Sequence, residues 1–237
     1  MAYDISRPSP PAEGIPDRLY GRRRGHPLRP RQGRLLDLTL PRITLADPAD
    51  PRAGFANAPG ALWLEVGFGG GEHALEIARA NPEVALIASE VFENGLCSLL
   101  TQLVPEGEEE TGSLPANLRL WPRDARHLLA ALPDGALDRL FLMFPDPWPK
   151  ARHSKRRFVH PALLPLLAAK LRPGAEWRIA SDDPTYQAWV DEVMGAQDLF
   201  DLAEHHDAHP EGWPRTRYEA KALREGRAPR WWVWRRK

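Results

Sequence analysis

The run Ala61-Leu-Trp-Leu-Glu-Val66 is bounded by Gly60 and Gly67 and opens at once into Gly67-Phe-Gly-Gly-Gly71. A compact apolar segment between glycines predicts a central strand. Glu72 to Ala80 then predicts a helix stopped by Asn81-Pro82, and Val84 to Ala88 is a second apolar run ending in Ser89-Glu90. Strand, glycine loop, helix, strand is a βαβ unit.

The same alternation continues. Phe92 to Val104 predicts a helix, and residues 105 to 116, with four glutamates, two glycines and two prolines, a surface loop. Leu118 to Trp121 is a short strand leading to Asp124, and Ala125 to Ala131 a helix. Leu137 to Phe144 predicts a strand, Pro161 to Leu171 a helix closed by Arg172-Pro-Gly174, Ala175 to Ala180 a strand delivering Ser181-Asp182-Asp183, and Pro184 to Met194 an amphipathic helix. Residues 199 to 236 are expected to add the last strand or two, with Arg230 to Arg236 as a Trp-rich edge. The fold class is therefore α/β, a doubly wound, mostly parallel, Rossmann-like sheet with helices on both faces.

Ahead of that domain, residues 1 to about 34 are rich in Pro, Gly and Arg, with Arg18, Arg22, Arg23, Arg24, Arg29, Arg31 and Arg34 in an acid-free stretch. Such a segment cannot bury enough apolar surface to fold alone. It is expected to be a basic arm, followed by a short helix from Leu35 to Ile43 that ends at Pro41 and an Asp47-Pro-Ala-Asp-Pro linker. The expected division is an arm and linker over residues 1–60 and the α/β domain over residues 61–237.

Acidic and basic residues number 32 each, so no global field attracts a polyanion and any nucleic-acid binding must rest on local patches. One cysteine, Cys97, excludes an intrachain disulfide and a cysteine-based zinc site. No apolar run is long enough to span a bilayer, and the polar start does not resemble a signal peptide. These features predict a cytoplasmic protein with no membrane contact.

In open α/β sheets ligands bind beyond the carboxyl ends of the strands. Acids fall at successive strand ends here: Glu65, Glu90, Asp124, Asp146 and Asp182. A dinucleotide fingerprint would need a third glycine at position 72, which is Glu72, and Glu65 sits badly beside a pyrophosphate. A ligand with an ammonium group and a ribose but no phosphate suits these acids better. S-adenosylmethionine has that form, with Glu90 accepting the ribose hydroxyls and Asp124 the adenine amino group. The plain alternative makes these acids strand-end caps and surface charges.

The strand ending at Phe144 runs into Pro145-Asp-Pro-Trp148, then Lys150 and the cluster Arg152, His153, Lys155, Arg156 and Arg157. Two prolines fix φ on either side of Asp146. A flat aromatic, a carboxylate and a phosphate-binding patch together suggest a nucleic-acid base held over an active site, although Trp148 equally fits plain packing. His205, His206 and His209 are expected in a solvated loop rather than a metal site. Two rival readings are an NAD-dependent oxidoreductase, opposed by Glu72 and the basic loop, and a non-catalytic RNA-binding module, opposed by the full set of acids.

Leu64-Glu-Val-Gly-Phe-Gly69, Ser89-Glu-Val91, Arg123-Asp-Ala125, the Phe144 to Arg157 segment, Ala180-Ser-Asp182 and Thr216-Arg-Tyr-Glu219 together resemble the bacterial tRNA (guanine-N7)-methyltransferases. The resemblance spans Leu62 to Glu219, and the Pro-Asp-Pro-Trp segment is its most specific part. It implies a class I methyltransferase fold, S-adenosylmethionine as donor, no metal, and a guanine in the variable loop of tRNA as acceptor. Glu65, Gly67, Gly69, Glu90, Asp124 and Asp146 then resemble the donor site, with Asp146 also the catalytic candidate. Lys150, Asp182, Thr216, Arg217, Tyr218 and Glu219 resemble substrate-binding positions, and Arg152, Lys155, Arg156 and Arg157 the RNA-contacting loop. Gly70, Pro149 and Asp183 depart from the family's usual residues without removing a functional group. No obligate protein partner is implied, and monomer and homodimer both remain open.

Overall fold

The computed structural model describes residues 23–55 and 60–237; Arg18 and Arg22 of the expected arm lie outside them. The described residues hold the strands β1 (Ala61–Val66), β2 (Val84–Ser89), β3 (Leu118–Trp121), β4 (Leu137–Met143), β5 (Leu171–Ser181), β6 (Phe200–His206) and β7 (Arg230–Arg236), with β3-β2-β1 adjacent in that order and β4-β5-β7-β6 in that order. The chain divides into two compact units, which part after Leu132.

In the first unit β1 pairs with β2 and β2 with β3, all parallel. Every residue of β2 is buried, as expected of a parallel strand covered on both faces. Thr44 makes a parallel bridge to Leu120, and the Leu45 N–H donates to the Leu120 carbonyl, so the N-terminal segment continues the ladder beyond β3. The segment before it is helical: α1 (Pro30–Arg34), a π turn (Leu35–Thr39) and α2 (Leu40–Ile43). Helical backbone therefore passes through Pro41 instead of ending there. Proline lacks an amide and its ring crowds the carbonyl four residues back. The wide turn, in which the Leu40 N–H reaches the Leu35 carbonyl, relieves that crowding.

The acidic 105–116 loop has a use in this unit. The Glu109 carboxylate accepts from Arg31 Nε (3.3 Å) and Arg34 Nη2 (3.4 Å), and Arg31 and Arg42 donate to the carbonyls of Val104 and Gly112. The remaining helices of the unit are α3 (Glu72–Ala80), α4 (Glu93–Leu103) and α5 (Ala125–Ala131).

In the second unit β4 and β5 are parallel, while β7 runs antiparallel between β5 and β6. The expected Trp-rich edge is therefore an interior strand. Trp231, Trp232, Val233 and Trp234 are all buried, which requires a sheet neighbour on each side and cover on each face, and the edge falls to β6 with residues 201–205 exposed. Strand β6 also takes in His205 and His206, which a loop was expected to hold. Arg172-Pro-Gly174 interrupts the β4–β5 register as an irregularity within β5, with Gly174 at φ +79°. The helices here are α6 (Leu164–Lys170), α7 (Pro184–Gly195) and α8 (Arg217–Arg224), the last unforeseen. Helix α7 starts on Asp183, whose carboxylate accepts the Tyr186 N–H, with Pro184 in its first turn. None of the helices in the described residues is long and apolar enough to cross a membrane.

Candidate active site

In the first unit Glu65 is the penultimate residue of β1, and Glu90 and Asp124 follow the carboxyl ends of its parallel neighbours β2 and β3. Glu65 is 1% exposed and accepts a hydrogen bond from His73 Nδ1 of α3 at 2.9 Å. The Glu90 carboxylate binds backbone: Oε2 accepts the Gly69 N–H at 2.8 Å, and Oε1 accepts those of Val91 and Phe92 at 2.7 and 3.0 Å. Glu90 thus ties the glycine loop to the end of β2. Gly67, Gly69 and Gly71 all have φ between +59° and +87°, a region closed to most side chains. A Cβ on Gly67 would meet nothing within 4 Å, so the loop presents bare backbone to open space there.

Asp124 caps α5, and Arg126 covers both of its oxygens, with Nε 3.0 Å from each and a further bond from Nη2 to Oδ2. The Arg126 N–H adds a bond to Oδ1 at 2.9 Å. An incoming amino group reaches this carboxylate only by replacing one of those bonds.

In the second unit the Phe144 N–H donates to the Ala180 carbonyl, which sets the turn after β4 beside the end of β5, where Asp182 stands. The exposed side chains of Asp146 and Lys150 have no hydrogen bond or ion pair among the described residues. Phe144 and Trp148, on either side of Asp146, take φ of +51° and +45°, the only non-glycine residues with positive φ among those described. Such conformations cost about 1–3 kcal/mol each and persist only where the surroundings enforce them.

The basic cluster lies on a 3-10 turn, Ala151–Arg156. Arg152 and Lys155 are exposed. The Arg156 guanidinium lies 4.8 Å over the Trp148 ring, and His153 meets the same ring edge-on at 5.9 Å. Burial, then Arg156, Arg152, Lys150 and Lys155, hold the His153 imidazole below its ordinary pKa. Arg157 is turned inward, 6% exposed, with its donors on the carbonyls of Pro147 and Trp148.

Asp182 accepts from Arg227 Nε at 2.6 Å. Thr216 caps α8 through the Glu219 N–H, and the 2% exposed Glu219 carboxylate accepts from Arg215 Nη1 at 2.7 Å, with His209 Nδ1 3.0 Å away. Arg217 and Tyr218 are exposed and stack at 5.1 Å. Among the described residues no group of three or more His, Cys, Asp or Glu could hold a metal ion. Partners that sequence reasoning missed are His73, Arg126, Arg215 and Arg227. Only Arg126 carried a signal, two residues past an N-cap aspartate. His73, Arg215 and Arg227 gave none.

Two solved structures share this fold. A 16S rRNA methyltransferase aligns with a TM-score of 0.54 at 18% identity, covering 78% of this chain and 90% of that one. An antibiotic-related methyltransferase aligns with the same score at 11% identity and the same coverage. The fold, a mostly parallel sheet with helices, is thus Rossmann-like, as in these two methyltransferase structures. The family model described as "Putative methyltransferase" matches residues 59–230. The tRNA (guanine-N(7)-)-methyltransferase of Granulibacter bethesdensis is 65% identical over 218 residues, 92% of this chain and 94% of that one. The enzyme of the same name from Rhodospirillum rubrum is 46% identical over 241 residues, 97% of this chain and 91% of that one. This chain belongs to the tRNA (guanine-N7)-methyltransferase family.

Proposed function

We propose that this chain, working in the cytoplasm, methylates N7 of a guanine in the variable loop of tRNA, with S-adenosylmethionine as methyl donor. The observation that carries the site assignment is Asp146, an unengaged carboxylate held in a turn whose backbone is otherwise locked. The glycine loop suits the donor: bare backbone at Gly67 leaves room for it, and Glu65 and Glu90 offer carboxylates to an ammonium group and to ribose hydroxyls. Bound there, the donor supplies an electrophilic methyl group on a sulfonium.

Guanine N7 carries a lone pair and no proton, so its attack requires no general base at the reacting atom. Positive charge moves onto the purine as the bond forms. Asp146 accepts hydrogen bonds from the base's N1–H and exocyclic amine, and these strengthen as that charge grows. Lys150, Arg152 and Lys155 hold the RNA backbone, and Asp182 with the Thr216 to Glu219 segment shapes the rest of the base's surroundings. Alignment of N7 with the methyl carbon and sulfur supplies much of the remaining acceleration.

The test is incubation with labelled donor and unmodified tRNA, followed by mapping of the methyl group by borohydride–aniline cleavage. Cleavage at a single variable-loop guanine is expected. Asp146→Ala should still bind donor and tRNA while methylating about a hundredfold more slowly or worse. Turnover near that of the unaltered protein would remove Asp146 from the mechanism.

A further inference from the structure

The geometry points to Arg157 as a positioning residue that holds the Asp146 turn in its working shape, in place of the RNA contact that the family pattern implied. The inference rests on Asp146 being the catalytic group. Arg157 Nε donates to the Pro147 carbonyl at 3.1 Å and Nη2 to the Trp148 carbonyl at 3.0 Å. One rigid guanidinium fork therefore grips two successive carbonyls just past Asp146.

The cation is itself fixed from behind. Its Cζ lies 4.7 Å over the Trp189 ring of α7. The Trp189 indole N–H donates to the Val159 carbonyl at 2.6 Å, and the Val159 N–H donates to the fully buried Tyr186 hydroxyl at 3.4 Å. Both polar backbone groups of Val159 are thus held by side chains of α7. The result is a connected support: helix α7, then residues 157–159, then the carbonyls of the turn.

That support meets a specific need. Phe144 and Trp148 adopt left-handed backbone that bulky L-residues avoid, so the turn will not hold this shape unaided. Asp146 has no partner side chain among the described residues, so its position follows from the backbone alone. Arg157 fastens that backbone at Pro147 and Trp148. Its face lies on Trp189 and its donors lie on carbonyls, which leaves it poorly disposed to fork a phosphate, whereas Arg152 and Lys155 are exposed.

The experiment compares the full-length protein with Arg157→Ala, Arg157→Lys, Arg152→Ala and Asp146→Ala, using an unmodified tRNA transcript and labelled donor. Arg157→Ala is expected to lower kcat about a hundredfold at saturating substrates, because a small misplacement of the acid has that effect. Its tRNA Kd and the slope of log K against log salt should stay close to those of the unaltered protein. Arg152→Ala should reduce that slope by about one. Arg157→Lys keeps the charge without the fork, and should lose kcat nearly as far; if Arg157→Ala does not fold, the lysine variant carries the test alone. Full kcat in the folded variants, or a slope reduced by about one in Arg157→Ala, overturns the positioning role. If Asp146→Ala retains turnover, the failure lies with the catalytic assignment instead.

Discussion

Gly95 of α4 lies against the carbonyl of Gly69: a methyl group placed on Gly95 would stand 2.4 Å from that oxygen, well inside the non-bonded contact distance of a Cβ. The neighbour is backbone, so it cannot rotate aside. The same substitution would also bring a methyl within 3.3 Å of the Glu90 side chain, whose carboxylate fastens Gly69.

Gly95→Ala therefore sets two effects against each other. Within a helix, alanine is favoured over glycine by about 1 kcal/mol, so propensity alone predicts a more stable protein. The contact predicts the reverse: the loop from Gly67 to Gly71 is pushed off its position. The expected outcome is donor affinity at least about tenfold weaker by calorimetry together with a lower Tm. A raised Tm with unchanged donor affinity would show that the helix and loop are not in register as described.

His73 supports Glu65 from α3. Both side chains are nearly fully buried, so His73→Leu strands a carboxylate that has lost its donor. Leaving a buried acceptor without its partner costs about 1–3 kcal/mol, more when the group is charged. Urea unfolding should report that loss, and donor affinity should fall with it. Equal stability in His73→Leu would mean that Glu65 draws little from this bond.

The βαβ start and the order of elements to α7 were legible because each rests on local signals, apolar runs and their breakers. Strand ends placed the acids for the same reason. Three features were not legible. The interior place of β7 is hidden from local signals because position within a sheet is fixed by distant pairing, in this case Trp177 with Trp234 and Ile179 with Trp232. Helix α8 is signalled only by Thr216-Arg-Tyr-Glu219, which has the spacing of a capping box but equally matches the family's substrate-binding segment. The orientation of Arg157 is invisible in sequence because one cationic run holds both exposed and inward residues, and the face of Trp189 decides which is which.

Glu109 predicts an acid-sensitive attachment of the N-terminal helices. Burial pushes its carboxyl up, but the hydrogen bond from Arg34, the backbone donors and the Arg34 charge outweigh that and hold it below its ordinary value. A depressed carboxyl contributes stability at pH above its unfolded value, and this is lost as pH falls through the lower folded value. Glu109→Gln should flatten the Tm profile over that acidic range and lower Tm at neutral pH. An unaltered profile would mean that the helices are held by the Arg31 and Arg42 contacts to the carbonyls of Val104 and Gly112 instead.

His153 predicts that RNA binding takes up a proton. The Arg152 Nε–H donates to His153 Nε2 at 3.4 Å, so in the free protein that nitrogen accepts and protonating it would set two cationic donors face to face. Burial, then Arg156, Arg152, Lys150 and Lys155, hold the imidazole below its ordinary pKa and so favour the neutral ring in the free protein. Phosphates brought against the loop offset those cations and raise the imidazole back up. Proton uptake on binding means that tRNA affinity rises as pH falls through the ordinary histidine range, with the bound form titrating at higher pH than the free one. His153→Gln should remove that increment while leaving affinity at pH 8 nearly unchanged. Both are read from Kd at fixed ionic strength across pH 5.5 to 8 (a window of about one unit or more either side of an ordinary histidine). The same pH dependence in protein and variant would assign the proton to another group and leave His153 a neutral edge against Trp148.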